Sequence, residues 1–426
     1  MAGLLDKIQG KTLYRIMSAA CGSAFMLYGW DAGVLGGIQE TPQFRAAIGN
    51  PQGAFASTYS VGQMIVGRIV TGAGIGCIAS AVPTYMMSLE ASERGPEVSY
   101  QLALLITGVA LAYWIDLGFV QGLDRHPWLW RIPLALQACF ANFSAILLFM
   151  LPDTPRWYYA RGREAQGDKV LARLHMLPVG HQSVQAVKAE IMASLEEEDE
   201  TGKINIVTLF WDNTELQFGR RLRTSFLINW IFTNLNYSPL LSGILAGVLN
   251  TCFAVASYPP IWHFHMPCCL SPLRIPSLNL LKPGSALGCG VCMLIYIVLT
   301  TLPANKSSAA TNWAAVAIII LYEVVFAFGW LGTCWVYGPE IAPLKYRHVA
   351  GSLGAAGEWF STFVMVFGGG TGINAVGPMI FIWPLLCCFL AAAYVYFLAN
   401  RIRGLQYNPS EKGFAGLCFR RLAGQK

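Results

Sequence analysis

An aspartate sits inside the first long apolar run of the chain, at Asp31 in Gly29-Trp30-Asp31-Ala32-Gly33-Val34-Leu35-Gly36-Gly37. A carboxylate in hydrocarbon is costly, and it marks a functional site by default. The next apolar run holds a single cation, Arg68, in Gly67-Arg68-Ile69-Val70-Thr71-Gly72-Ala73-Gly74-Ile75-Gly76. An arginine facing a carboxylate favours its ionised form, and moving the arginine away favours proton uptake. Such a pair can load and release a proton as a protein changes state. The small residues around Arg68 would let helices approach closely. The alternative is that the first span is short and Asp31 lies at its outer interface.

The elements that must position these groups follow from composition. Of 426 residues, 55% are hydrophobic and 12% charged, against roughly 25% charged in a soluble globular protein. Residues 152–223 hold 10 Lys/Arg and 11 Asp/Glu, and long apolar runs hold very few. Long apolar runs between charged blocks indicate an integral membrane protein. They exclude a soluble enzyme, a nucleic-acid binder and a disordered tail protein. The net charge of +6 reflects where lysines and arginines sit relative to a membrane. The 12 cysteines, Cys77, Cys139, Cys292, Cys334, Cys387 and Cys388 among them, read as small buried hydrophobes with no disulfide framework. Lys7, Lys11 and Arg15 precede a long apolar run without a cleavage pattern, so the first span is expected to be retained.

About 20 apolar residues cross the hydrocarbon core as a helix. The expected spans are 16–38, 55–87, 98–119, 131–151, 224–241, 242–262, 284–303, 313–338, 349–373 and 377–399. The runs are too long and uniformly apolar for barrel strands. The polar loop 152–223 should carry helices around 163–176 and 184–200, and its Glu196–Glu200 acidic run reads as a solvated surface. Basic residues concentrate in the N-terminal segment, the 152–223 loop, the 339–348 loop and the tail, which places all four on the cytoplasmic side. An even number of crossings must then separate 152–223 from 339–348. That requires 224–241 to cross, although Asn229, Asn234 and Asn236 make it a poor span. The expected domains are a first bundle at 1–151, a charged cytoplasmic loop at 152–223, a second bundle at 224–399 and a cytoplasmic tail at 400–426. A weak internal echo fits two halves: Pro83-Thr84-Tyr85 before Arg94-Gly95, and Pro339-Glu340 before Arg347 and Gly351. Repeats of this kind build many secondary transporters, with the substrate at midplane between the halves.

The same residues carry a family resemblance. The Gly-Trp-Asp-x-Gly-Val-x-Gly-Gly run, Gly67-Arg68 with Gly72 and Gly76, Pro83-Thr84-Tyr85 with Arg94-Gly95, Pro152-Asp153-Thr154-Pro155-Arg156-Trp157, and Pro339-Glu340 with Arg347 and Gly351 stand in order along about 320 residues. Together they resemble the sugar porters of the major facilitator superfamily, closest in flavour to fungal hexose transporters. The resemblance implies an all-α polytopic fold of two helical bundles, about ten of the usual twelve helices being present. It implies alternating access to a monosaccharide site between them.

Position by position, the resemblance assigns proton coupling to Asp31 and Arg68. It assigns sugar hydroxyls to Gln101 and Asn250, stacking on the sugar ring to Trp335, and a polar ligand to Glu358. Amides can both donate to and accept from hydroxyls, and an indole face suits the C–H surface of a ring. Gln101 and Asn250 could instead join helices. Trp335 could serve packing or an interfacial belt, and Glu358 could be structural. Arg94, Arg156, Glu340 and Arg347 resemble the cytoplasmic charge network that latches the outward-facing state; generic positive-inside anchoring is the alternative for the arginines.

The chain also departs from that family. After Thr58–Met64 it passes directly to Gly67-Arg68, so most of the second and third helices look absent. Span 224–241 lacks the usual Gln-Gln, Gly-x-Asn and Tyr-Tyr groups. Residues 263–283 resemble nothing in the family, the signature after the last helix is missing, and Ser88 stands where a Glu is usual. The abrupt breaks resemble faulty exon joins. His263–Cys269 reads as novel sequence at a breakpoint and not as a metal cluster. Asn305-Lys306-Ser307 is a sequon in a loop expected outside. The expectation is a plasma-membrane, multi-pass, monomeric transporter of a hexose-like sugar by proton symport. No cofactor, metal or nucleic acid is expected, and no enzymatic activity. The alternative is a transport-inactive truncated or sensor-like member of the same family.

Overall fold

The computed structural model describes residues 9–38, 41–47, 59–86, 94–123, 126, 128–200, 218–235, 243–257, 276–303, 308–331 and 347–394. Among these every regular element is helical. They are α1 (Gly10–Ile38), α2 (Pro42–Ala47), α3 (Tyr59–Met86), α4 (Arg94–Gly122), α5 (Trp128–Met150), α6 (Pro155–Ala160), α7 (Glu164–His175) and α8 (Gln182–Glu200). There follow α9 (Phe218–Leu235), α10 (Gly243–Ser257), α11 (Pro276–Thr300), α12 (Ala309–Phe326), α13 (Arg347–Val376) and α14 (Ile382–Tyr394). A π turn, Ala327–Leu331, extends α12, and a 3-10 turn, Gly377–Phe381, leads into α14.

Among the described residues five stretches are long and apolar enough to cross a membrane: Ile65–Val82, Tyr100–Gly122, Trp128–Phe149, Ala309–Leu331 and Gly377–Tyr394. Gly247–Ser257 and Gly284–Thr300 are shorter apolar helices. The other expected spans, 16–38, 224–241 and 349–373, fold as α1, α9 and α13, which carry Asp31, Asn229 and Glu358 in their interiors.

The chain divides into two compact units. The first is Met1–Glu90, Glu97–Lys203 and Leu240–Tyr258; the second is Ala91–Pro96, Ile204–Pro239 and Pro259–Lys426. Helix α10 therefore groups with the first unit, whereas the sequence places 242–262 in the second bundle. The cause is local. The Trp114 indole N–H on α4 donates to Thr251 Oγ1 on α10 at 2.8 Å. Gly247, one turn earlier, leaves room for that ring, since a Cβ there would stand 3.0 Å from it.

Within the first unit, α1 and α4 meet backbone to backbone. A Cβ on Gly29 would collide with the Leu105 carbonyl, and one on Gly108 with the Met26 carbonyl. Only glycine allows that approach. Helix α5 closes the other side of α1, where Trp30, Val34 and Ala112 pack with Leu134 and Phe140. The Trp30 and Phe140 rings lie 5.0 Å apart. Helix α3 lies against α1 and buries Ile75, Ala79 and Val82. Among the described residues the expected close approach around Arg68 is not seen, since a Cβ on Gly67, Gly72, Gly74 or Gly76 would meet nothing within 4 Å. The buried stripe lies elsewhere on the helix, and Ile65, Val66, Ile69 and Val70 are exposed.

The helices expected in the polar loop are α7 and α8. Thr154 caps α6, accepting from the Trp157 amide at 3.2 Å, with Pro155 at the first helical position. Tyr159 donates to Asp168 Oδ1 at 2.8 Å. Lys188 reaches Asp168 Oδ2 and Glu164 Oε2, each at 3.0 Å. The hydrogen bond to Asp168 and then that to Glu164 raise the Lys188 pKa, while burial and Asp168 raise that of Tyr159. Groups with raised values in the folded state stabilise it while protonated. The tie between α7 and α8 is thus fully present below about 10.5, the ordinary lysine value. It is lost as the pH climbs through the raised value. Asp168→Asn, which weakens both links, is expected to speed amide hydrogen exchange across 164–200 at neutral pH. Wild type should show that increase only above the ordinary lysine value.

In the second unit α9 lies along α13. Ser225 donates to the Ala350 carbonyl at 2.7 Å and Ser361 to the Trp230 carbonyl at 3.3 Å. Asn229, which made this span look poor, is 3% exposed and donates to the Ser225 carbonyl at 3.0 Å. Gly354 leaves the space its amide occupies. Asn229 is thus satisfied within its own helix, while Ser225 and Ser361 tie the span to α13.

Candidate functional site

Asp31 lies 21 residues into α1 and faces α3 and α5. Arg68 Nη1 on α3 and Gln137 Nε2 on α5 both stand 2.5 Å from its Oδ1. The Asp31 side chain is 12% exposed and that of Arg68 28%. Trp30, the preceding residue, is fully buried in the apolar cluster with Val34, Ala112 and Phe140. Arg68 Nη2 is buried with no hydrogen-bond partner among the described residues. One carboxylate oxygen thus ties α1 to both α3 and α5. Protonation would weaken the ion pair and loosen the link between α1 and α3.

Gln101 lies in a second buried polar cluster, at the N-terminal end of α4. Glu97, in the first turn, is 7% exposed, and Gln101, one turn on, is 2% exposed. Tyr14 on α1 donates to Glu97 Oε2 at 2.8 Å, and Ser18 donates to Glu97 Oε1. Gln101 Nε2 donates to Glu97 Oε1 at 2.9 Å and to the Ser18 carbonyl at 3.2 Å. A helix N-terminus favours a carboxylate. The result is a fixed polar joint between α1 and α4.

Asn250, Arg156 and Glu358 stand on helices other than those of the two clusters. Asn250 is half-buried on α10, beside Thr251 and its bond to Trp114. Glu358 is half-buried on α13, in the second unit. Arg156 is the second residue of α6; Arg94 opens α4 and Arg347 opens α13. Trp335 and Glu340 lie outside the described residues, as do the sequon at 305–307 and the stretch 263–269. Two of the quoted sequence signatures do meet, since the Tyr85 hydroxyl donates to the Pro152 carbonyl at 2.9 Å. Among the described residues no group of histidines, cysteines and carboxylates could hold a metal.

Sequence reasoning passes over Gln137, Glu97, Ser18 and Tyr14. Gln137 is one of two amides in its span. The other, Asn142, is exposed and bonds its own helix at Ala138, and nothing in the sequence separates the two. Asp116 on α4 and Glu323 on α12, 0% and 5% exposed, are legible by the rule that selects Asp31.

The profile of the family described as Sugar (and other) transporter matches residues 43–411. The Major facilitator superfamily transporter mfsA of Aspergillus fumigatus is 27% identical over 333 residues, covering 73% of this chain and 58% of its own length. Sugar transporter STL1 of Saccharomyces cerevisiae is 26% identical over 334 residues, covering 74% of this chain and 55% of its own length. The chain thus spans little more than half the length of these relatives. The solved structure of the proton:xylose symporter XylE bound to 6-bromo-6-deoxy-D-glucose matches with a TM-score of 0.64 and 21% identity. That match covers 89% of this chain and 80% of XylE, and it shows a shared fold. Transport, not enzymatic catalysis, is the business of these proteins. With most of its length matched, an all-helical fold and apolar helices that can cross a bilayer, the chain belongs to the sugar (and other) transporter family, multi-pass integral membrane transporters of the major facilitator superfamily.

Proposed function

We propose that the chain carries a hexose-like monosaccharide across the plasma membrane together with a proton, by alternating access between two bundles that flank the 152–223 loop. The observation that carries this reading is the Asp31 carboxylate with Arg68 and Gln137 on one oxygen, buried between three helices. Asp31 takes the proton, and Arg68 moves from it as the carboxylate is neutralised. Gln101 and Asn250 meet sugar hydroxyls, Trp335 stacks on the ring, and Glu358 adds a polar contact. Arg94, Arg156, Glu340 and Arg347 latch the cytoplasmic side. One chain in the bilayer is the working unit. The curated relative named as a sugar transporter and the fold shared with a sugar-bound proton:xylose symporter support this reading.

The test is uptake of labelled hexose by transporter-deficient cells expressing the chain, with and without a protonophore. Accumulation above the external concentration that collapses with the protonophore is expected. No uptake despite surface expression would overturn sugar transport. Uptake indifferent to the protonophore would overturn only the coupling.

A further inference from the structure

The cluster at the start of α4 constrains more than helix packing. Gln101 has two amide hydrogens, and both are spent: one on Glu97 Oε1 at 2.9 Å, one on the Ser18 carbonyl at 3.2 Å. A carbonyl oxygen can only accept, as can a carboxylate bonded by three donors. The amide therefore cannot turn over, because its own oxygen would then face two oxygens. Tyr14 and Ser18 in turn hold Glu97 through their hydroxyls, one on each carboxylate oxygen. The remaining atom, Gln101 Oε1, is buried with no hydrogen-bond partner among the described residues. It points at Gly22 of α1, where a Cβ would stand 3.3 Å away. A buried acceptor left unmet is unfavourable. Here it is held in place by a network that spans two helices.

We propose that Glu97, supported by Tyr14 and Ser18, is a positioning residue that makes Gln101 an acceptor-only subsite, so that the ligand must present a hydroxyl hydrogen there. This rests on the reading of Gln101 as a sugar ligand. A glutamine free to turn meets a ligand group either as donor or as acceptor. A glutamine fixed in this way discriminates. A sugar hydroxyl can donate to it, whereas fluorine on the same carbon can only accept and hydrogen can do neither. At the ring position that meets Gln101, a fluorinated sugar should therefore bind as badly as the deoxy sugar.

The experiment is competition against labelled hexose on the purified full chain in lipid nanodiscs, using monodeoxy and monofluoro hexoses at each ring position. The Gln101 position is the one whose deoxy penalty disappears in Gln101→Ala. At that position the wild type should lose about tenfold or more with both analogues alike. In Glu97→Leu the released amide can turn, and the fluoro sugar should bind several-fold tighter than the deoxy sugar. Glu97→Gln keeps an acceptor for Gln101 Nε2 and should retain the equal loss, so a poorly folding Leu variant does not decide the matter. A wild type that binds the fluoro sugar better than the deoxy sugar at that position overturns the inference while leaving the sugar reading intact. A Gln101→Ala variant that changes no analogue's penalty overturns the placement of Gln101 at the ligand. A wild type that binds no hexose overturns the transport reading and this inference with it.

Discussion

Replacing Asp31 by asparagine is expected to abolish proton-driven accumulation of hexose and to leave sugar exchange running. Asparagine has nearly the same shape and keeps an oxygen for Arg68 and Gln137, which both bond Oδ1 in the wild type. It cannot take up a proton. Accumulation should fall to the equilibrium ratio, while exchange between preloaded vesicles and medium should persist. Unchanged accumulation in Asp31→Asn would remove Asp31 from coupling. Arg68→Leu is the harsher change. It strands a carboxylate that is 12% exposed, and breaking a buried pair from one side costs roughly 3–5 kcal/mol. The partial exposure of Arg68 places this case at the lower end. The double variant Asp31→Asn with Arg68→Leu should recover much of that stability, because no charge is left unpaired, yet should not regain coupling. Thermal unfolding in detergent separates the two effects.

Gly29→Ala is expected to destabilise the protein more than any alanine substitution in the glycine run of α3. A methyl group at 29 would overlap the Leu105 carbonyl, which is backbone and cannot swing aside. Helices α1 and α4 must separate, and overpacking of this sort costs about 1–3 kcal/mol, occasionally more. Separation also strains the bonds of Tyr14 and Ser18 to Glu97. Gly72→Ala and Gly74→Ala meet nothing. There the better helix propensity of alanine should be neutral or stabilising by up to about 1 kcal/mol. The measurement is the fraction of monodisperse protein after heating. Equal melting of Gly29→Ala and Gly72→Ala would contradict the close α1–α4 contact.

The contrast between these glycines shows what the sequence can and cannot disclose. Small residues reveal that a close approach is possible, but not which partner arrives. The run at Gly29 is used and the run at Gly67 is not. Asp31 and Arg68 were legible because a lone charge in an apolar run has few reasons to exist. Gln137 is neutral, and an amide on a helix becomes informative only when its neighbours in space are known. Gln101 stood out by its sequence context, but its fixed orientation depends on Glu97 and on a backbone carbonyl 83 residues away. The helical class and the five apolar stretches found among the described residues followed from charge placement and run length, which are properties of the chain alone. The bond from Trp114 to Thr251 on α10 did not, since nothing in the chain alone pairs that indole with that threonine. Trp335 and Glu340 lie outside the described residues, so their roles stand on the resemblance alone.

Helix α3 has one further property, and it is mechanical. Arg68, Ile75, Ala79, Val82 and Tyr85 follow one another at steps of 7, 4, 3 and 3 along it, which sets them on a line that winds about 100° round the helix from Arg68 to Tyr85. Apolar burial occupies the middle of that line, and a polar bond stands at each end: Arg68 to Asp31, and Tyr85 to the Pro152 carbonyl. The two bonds are about 26 Å apart at 1.5 Å per residue. The two grips differ in kind: neutralising Asp31 would slacken the one at Arg68, whereas the Tyr85 hydroxyl would keep its bond to a backbone carbonyl, so α3 is hinged at its Tyr85 end.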